Sequence, residues 1–316
     1  MQWAVREEEV GLRLDKFLAA RDRLESRGGA LAAIQRGKVF LNGVEARAAQ
    51  AATVLTAGDV VRVWVDRPGS AKRQASASQL GDLRVIYEDD DLTVVNKPAG
   101  LLAVPLRRRE AAPSAYSLLK DHFRSHKHRP LVVHRIDRDT SGVVVFAKSA
   151  DAQERSKEQF RRQEPERVYW AVVYGHPQPP KGAWRDHLVW DQRALIQKPA
   201  HPRDSRGKEA ISQYRVLESF RDASLIEVRL KTGKRNQIRV QAGLRGHALV
   251  GEERYTFGLV VPRPIRFSRQ ALHAYRLTLR HPRDGRLLTF EASLPADLME
   301  LLTRLRRRHR PVTSDN

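Results

Sequence analysis

Cysteine is missing from all 316 residues, which excludes disulfides, cysteine-ligated zinc and thiol nucleophiles and fits a reducing compartment. No apolar run is long enough to cross a bilayer, and the opening MQWAVREEEV places acidic residues where a signal peptide needs an apolar core. A cytoplasmic protein with no membrane partner is therefore expected. There is no HExxH pattern and no internal repeat. The consecutive acids Asp89, Asp90 and Asp91 lack the spacing of a calcium loop and read as a turn facing water. His122, His126 and His128 lie in a basic stretch and read as solvated or phosphate-facing, not as zinc ligands. No metal and no cofactor are expected.

Acidic residues are also few: 37 Asp and Glu stand against 58 Lys and Arg, a formal charge of +21. Such a surplus favours a polyanionic partner whose counterions the basic side chains displace. At roughly 150 residues per domain, the chain is long enough for more than one. Residues 1–65 look like a small module. In it Leu14, Phe17 and Leu18 fall at helical spacing, and Leu31 with Ile34 offers a second short apolar face. Val39 to Leu41 read as a strand entering an Asn42-Gly43 turn, and Val60 to Val65 as another strand. Residues 66–82 are rich in Ser, Ala, Gly and Pro and read as a flexible linker, a tether that lets two modules grip one partner.

Residues 83–316 form the larger domain. It opens with a hairpin across the acidic turn, then a helix from Ser114 to Phe123 with Tyr116, Leu119 and Phe123 on one face. Ser149 caps a polar helix running to Gln163. Arg167 to Gly175 alternates as a strand that points Tyr169 and Trp170 to opposite faces. A weakly patterned hairpin around Leu188, Val189 and Trp190 follows, then strands at Ser212 to Leu217 and Ser224 to Leu230. The helix from Pro295 to Leu305 carries Leu298, Leu301, Leu302 and Leu305 on one side, and a basic tail reaches Arg310.

Between the apolar runs Leu131-Val132-Val133 and Val143-Val144-Val145-Phe146 stands HRIDRDTSG, His134 to Gly142. The pattern is strand, tight loop, strand, with polar side chains at a strand end beside the core. A bland charged turn would look the same, but Asp137 sits between Arg135 and Arg138, and opposite charges nearby favour an ionised carboxylate. A positioned carboxylate can act as a nucleophile or an electrostatic stabiliser, so Asp137 is the candidate reaction centre. A second dense polar group, Lys231 to Gln241, stands at a strand-to-helix junction.

NKPAG at 96–100, HRIDRDTSG at 134–142, GKEAISQY from Gly207 to Tyr214 and LHAYRL from Leu272 resemble, in this order, the signatures of the RluA-type pseudouridine synthases. The likeness spans essentially the whole chain. The family's TGRxHQIRVH stands here as TGKRNQIRVQ: Lys234, Asn236 and Gln241 replace Arg, His and His, while Gln237, Ile238 and Arg239 are kept. In residues 1–65, RLDKFL, GKVFLNG and AGDVVRV resemble the S4-type RNA-binding domain. The resemblance implies an α+β protein, with a mixed or antiparallel-sheet catalytic domain behind a small S4-like α/β domain.

It also implies roles. Asp137 would be the nucleophile, Tyr169 the ring packing against the target base and able to take part in proton transfer, and Arg239 the partner of the Asp137 carboxylate. Arg135 would enter the RNA stack or hold phosphate. Arg13, Lys16, Arg27, Arg36 and Lys38 of the small domain would position RNA through phosphate contacts, joined by Lys97, Lys234 and Arg235 in the larger one. The implied activity is isomerisation of uridine to pseudouridine in structured RNA, with 23S-type large-subunit ribosomal RNA as the expected partner and a monomer as the expected state. Competing readings are a tRNA-directed synthase, a non-catalytic RNA-binding or ribosome-assembly factor, and a metal-dependent RNA hydrolase built on Asp89, Asp90 and Asp91 with nearby histidines.

Overall fold

The computed structural model describes residues 1–35, 37–46, 48–64, 79–80, 83–105, 113–124, 129–261 and 263–309. The chain divides into two compact units, Met1–Gln74 and Ala75–Asn316. Arg36, His126, His128 and Arg310 lie outside the described residues, as does the expected linker except for Gln79 and Leu80.

In the first unit the elements are β1 (Gln2–Ala4), α1 (Leu14–Leu18), α2 (Arg27–Gln35), β2 (Val39–Leu41), β3 (Val44–Glu45) and β4 (Val60–Val63). The strands form a sheet in the order β1-β4-β2-β3. Asn42 and Gly43 both take positive φ, 51° and 78°, as a two-residue turn between right-twisted strands requires. Leu14, Phe17 and Leu18 of α1 are buried with Val39, Val61 and Val63. The apolar face of α2 is not the one expected. Ala30, Ala33 and Ile34 face the core while Leu31 is exposed, because two alanines at the i and i+3 positions let the helix pack closely.

The second unit begins with β5 (Gln79–Leu80), inside the stretch expected as linker, paired to β6 (Leu83–Glu88). Then come β7 (Leu92–Lys97), α3 (Ala115–His122), β8 (Leu131–Val132), β9 (Ser141–Ala147), α4 (Ala150–Arg161) and β10 (Glu166–Tyr174). The rest is β11 (Lys181–Asp191), β12 (Ile196–Pro199), β13 (Lys208–Ser219), β14 (Ala223–Leu230), α5 (Gln237–Leu244), β15 (Leu272–Arg280), β16 (Leu287–Glu291) and α6 (Ala296–His309). These strands make one 12-stranded sheet in the order β12-β11-β13-β14-β10-β15-β9-β7-β6-β5, with β16 added to β15 and β8 to β9. Only the β9–β15 contact is parallel; the other described pairings are antiparallel. The result is a mixed α/β unit with a large mixed sheet.

Helices cover both faces of the middle of this sheet. Trp170 and Val172 on β10 pack with Leu298, Leu301, Leu302 and Leu305 of α6. Tyr169, Ala171 and Val173 pack on the other side with Ile238 and Ala242 of α5. Ser149 caps α4 by accepting from the Ala152 amide at 3.1 Å. No helix among the described residues is long and apolar enough to cross a membrane.

Of the acidic turn only Asp90 is exposed to water; Asp89 and Asp91 turn inward. Asp91 is buried, and Asp89 accepts from the Asp91 and Leu92 amides at 2.8 Å each, from the Tyr87 hydroxyl, and from His281 at 3.0 Å. Against the cost of burial, these donors hold the Asp89 carboxyl well below its ordinary value. Arg283 closes on Asp91 at 2.7 Å. The turn is therefore an ionic knot joining the β6–β7 and β15–β16 hairpins. His122 also has an internal partner, Glu88 at 3.4 Å.

One backbone contact sets the geometry of the sheet's centre. Gly142 has φ +119°, and a Cβ there would lie 2.2 Å from the Ala274 carbonyl oxygen. The parallel pairing of β9 with β15, His273 with Ser141 and Ala274 with Gly142, runs through this point. Gly142→Ala is expected to destabilise the unit by about 3 kcal/mol or more, combining a strained left-handed backbone with a backbone clash. Urea denaturation beside an Ala control at exposed Gly285 measures it.

Candidate active site

The signature stretches meet at the middle of the sheet. NKPAG is the end of β7 and its following turn, HRIDRDTSG links β8 to β9, the Lys231–Gln241 group joins β14 to α5, and LHAYRL is the start of β15. Arg135, Ile136, Asp137, Thr140, Tyr169, Leu230, Leu272 and residues 233–239 line a cavity of about 270 Å³.

Buried polar groups fix the Asp137 loop from behind. The Lys97 ammonium, fully buried, donates to the carbonyls of Pro98 (2.8 Å), Leu101 (2.7 Å) and Arg138 (2.8 Å). Arg269 forms two bonds to Asp297, at 2.7 and 3.0 Å, and donates to the Asp139 carbonyl at 3.0 Å. His273 bridges Ser141 Oγ (2.9 Å) and the Ala292 carbonyl (3.0 Å). His134 uses Nε2 to accept from the Val145 amide at 3.1 Å, its ring stacked on Phe160. Burial first, and the charge of Arg167 second, push its imidazole down to about 3, so it serves as a neutral acceptor.

In front, the Asp137 carboxylate is about one quarter exposed, and its Oδ2 accepts from Asn236 Nδ2 at 2.6 Å and Arg239 Nη1 at 3.3 Å. Arg239 is held more firmly by Glu252, through Nε at 2.6 Å and Nη2 at 2.8 Å. Glu252 is wholly enclosed and also accepts from the Arg254 amide at 2.9 Å. Its bonds to Arg239 hold its carboxyl below the ordinary value in spite of burial. The three charges sum to −1, and the unbalanced one lies on Asp137, the most exposed of the three. Tyr169 packs beside them with Ile238 and Leu272. Burial pushes its phenol up to about 12, so at neutral pH it is an uncharged ring with a hydroxyl proton to give.

A shaped cavity with a positioned carboxylate, an aromatic wall and a rim of arginines suits glycosidic chemistry on a base held against an aromatic ring. The comparisons with known proteins agree. A family model described as RNA pseudouridylate synthase matches residues 91–243. An uncharacterized RNA pseudouridine synthase of Bacillus subtilis is 36% identical over 311 residues, covering 95% of this chain and 96% of that one. This chain belongs to the RNA pseudouridine synthases. The family is one of isomerases. A ribosomal large subunit pseudouridine synthase D of Zymomonas mobilis is 34% identical over 321 residues, covering 96% of each chain. The solved structure of human RNA pseudouridylate synthase domain containing 4 has the same fold, with a TM-score of 0.58 at 24% identity over 70% of this chain and 92% of that one.

Within this synthase, Asp137, Tyr169 and Arg239 come together, with Arg135, Lys234 and Arg235 at the same cavity. Arg235 is exposed and its guanidinium lies 3.9 Å over the Trp190 ring. Lys97 is corrected: enclosed and committed to three carbonyls, it cannot reach RNA. Arg138 is not a flank of the carboxylate but turns to the Gly100 carbonyl at 2.9 Å. In the first unit Arg13 and Arg27 both bind buried Asp15, at 3.1 and 2.8 Å; the Arg27 bond leads in holding that carboxyl down to about 2. Lys16 is exposed and Lys38 half-buried. Sequence reasoning missed Glu252 and Tyr255. The available signal was Glu252 in GEERY, one residue past Gly251, whose φ of +76° and close approach to the Arg269 carbonyl aim the turn.

Lys97→Met should lower the catalytic rate at least tenfold by releasing the Arg138 carbonyl while leaving the salt dependence of RNA binding unchanged; Arg235→Leu should reduce that slope by about 1. Binding titrations over a salt series separate the two. Unfolded histidine titrates near 6.5 and folded His134 near 3, so the unfolded chain takes up the proton first as pH falls. The stability contribution is therefore complete above 6.5 and lost on the way to about 3. His273, pushed down to about 4 by burial, acts in the same direction. Urea midpoints at about pH 7.5 and about pH 5 should fall less for His134→Asn than for the wild type.

Proposed function

We propose that this protein is an RluA-type synthase that isomerises uridine in structured RNA, with large-subunit ribosomal RNA as its substrate and Asp137 as its nucleophile. The observation that carries the reading is a quarter-exposed carboxylate at a 270 Å³ cavity, held by Arg239 and Asn236 beside Tyr169. The Zymomonas mobilis relative, named for the ribosomal large subunit, supports the choice of RNA.

Uridine stacked in RNA must be turned out before C1′ can be reached, which costs a few kcal/mol. Tyr169 offers the stacking surface, and Arg135, exposed at the rim, is placed to brace the gap or hold phosphate. The carboxylate bonds to C1′ as the C1′–N1 bond breaks, and the electron pair stays on the uracil. The detached base turns in the cavity, shielded from water, and C5 takes C1′ back. The Asp137 oxygen leaves, the C5 hydrogen departs as a proton, and N1, which kept the electron pair of the broken bond, takes up a proton in its place. Reactant and product have the same composition, so no oxidant or hydrolytic water is consumed. In the first unit, the S4-like reading makes Lys16 and the outer faces of Arg13 and Arg27 phosphate contacts.

Tritium release from RNA labelled at uracil C5 is the test. Wild-type protein should release label from ribosomal RNA and not from tRNA, and Asp137→Asn and Asp137→Ala should lower the rate at least about 1,000-fold. No release from any RNA offered, or undiminished release by both variants, sinks the catalytic assignment; release from tRNA alone moves the substrate.

A further inference from the structure

Asn236 precedes α5 with φ 53° and ψ 21°, in the left-handed region that Asn tolerates better than most residues. An Asn before a helix ordinarily accepts from a backbone N–H of the first turn. This one makes no such cap. Its Nδ2 donates instead to Asp137 Oδ2 at 2.6 Å, the shorter of that oxygen's two contacts. Its Oδ1 accepts from the Tyr255 hydroxyl at 3.1 Å, and that hydroxyl accepts from the Gln197 amide at 3.1 Å.

The two ends of a carboxamide have nearly the same shape, so which end faces a neighbour is decided by donors and acceptors. Gln197 supplies a proton to the Tyr255 oxygen, and the hydroxyl proton then goes to Asn236 Oδ1. This leaves the NH₂ end for the carboxylate. Both Asn236 and Arg239 take Oδ2, and among the described residues no donor meets Oδ1. Among the described residues, the charged groups that line the cavity with the amide or pack behind it are Asp137 and Arg135 from the loop, Lys234, Arg235 and Arg239 from the α5 segment, and Glu252 and Arg254 from the turn after it.

We infer that Asn236, set by Tyr255 and Gln197, is a positioning residue that holds Oδ2 of Asp137 and reserves Oδ1 as the oxygen that attacks C1′. The inference rests on the nucleophilic role of Asp137 proposed above. A carboxylate free to rotate presents either oxygen to the sugar, and a displacement on the order of 1 Å at a reacting atom costs about 100-fold in rate.

Asn236→Asp is nearly isosteric and tolerates the same backbone, but replaces the donor with a second negative charge. Its single-turnover rate of tritium release should fall about 100-fold, with RNA affinity within about twofold of wild type. Tyr255→Phe, which lets the amide turn over, should lose about tenfold, as removal of an orienting partner does at other polar sites. A wild-type rate in Asn236→Asp, or a loss confined to RNA affinity, overturns the inference.

A second readout does not need activity. The chain has four asparagines, Asn42, Asn96, Asn236 and Asn316, so selective ¹⁵N labelling gives four assignable side-chain amides. The Asn236 signal, identified by its disappearance in Asn236→Asp, should be displaced downfield and should move in Asp137→Ala. An Asn236 amide indifferent to Asp137→Ala overturns the assignment even if the enzyme is active. If wild-type protein releases no label, the catalytic reading fails while this signal still decides the hydrogen bond.

Discussion

The Arg239–Glu252 ion pair is the contact on which the rest of the site depends. Both bonds are short, at 2.6 and 2.8 Å, and Glu252 is fully enclosed. Removing one partner of such a pair leaves a buried charge and costs about 3–5 kcal/mol. The pair therefore fixes the guanidinium plane, and only Nη1 is left to face Asp137 at 3.3 Å. At an effective dielectric of about 20, that contact is worth on the order of 4 kcal/mol before desolvation. It is weaker than the Glu252 contact because Asp137 keeps part of its hydration. Glu252 also withdraws much of the positive charge that Asp137 would otherwise meet. For the nucleophilic role proposed for Asp137 this matters: a carboxylate fully neutralised by arginine would be a poor nucleophile, and one sharing its arginine with a buried glutamate keeps more of its charge.

The loop carrying Asp137 needs an equally stiff frame, and it comes from cations aimed at backbone carbonyls. Lys97 reaches three carbonyls, one of them Arg138's, and Arg269 reaches that of Asp139. A carbonyl accepts a charged donor at any side-chain identity, so the frame fixes the loop backbone while leaving Arg135 and Asp137 free for the substrate. The same economy explains Gly142. The parallel contact between β9 and β15 must close to backbone distance for His273 to reach Ser141 across the strands, and any Cβ there would hold them apart.

Much of this was legible in the sequence. Helix α6, the cap at Ser149, the opposite faces of Tyr169 and Trp170, and the Asn42-Gly43 turn are local patterns whose period or turn chemistry names them. Asp137, Tyr169 and Arg239 were legible through a resemblance whose signatures lie far apart along the chain. What stayed hidden depends on contacts between distant segments. Lys97 looks like a phosphate ligand until the fold encloses it. Asp89 and Asp91 of the β6–β7 turn look solvated until His281 and Arg283 arrive from a hairpin nearly 200 residues away. Leu31 outranks Ala30 and Ala33 on any apolar scale, but helix α2 needed small residues, not large ones, against its neighbours. Glu252 is one acid among the chain's 37 Asp and Glu, and only the position of Arg239 singles it out.

The departures from the family pattern gain a physical meaning. Gln241, where the pattern has His, is fully buried; its Oε1 accepts from Ser212 at 2.6 Å while its Nε2 donates to Asp186 at 2.7 Å and to the Ala210 carbonyl at 3.0 Å. Asn236, also in place of His, accepts from Tyr255 and donates to Asp137. A carboxamide offers an acceptor and donors at once, with no change of charge, and both positions use it that way. An imidazole would have to choose a tautomer to do the same and would gain a proton within the physiological range. Replacing the pair by amides removes a titrating donor from beside Asp137, so the carboxylate meets the same partners whether the surroundings are mildly acidic or mildly alkaline.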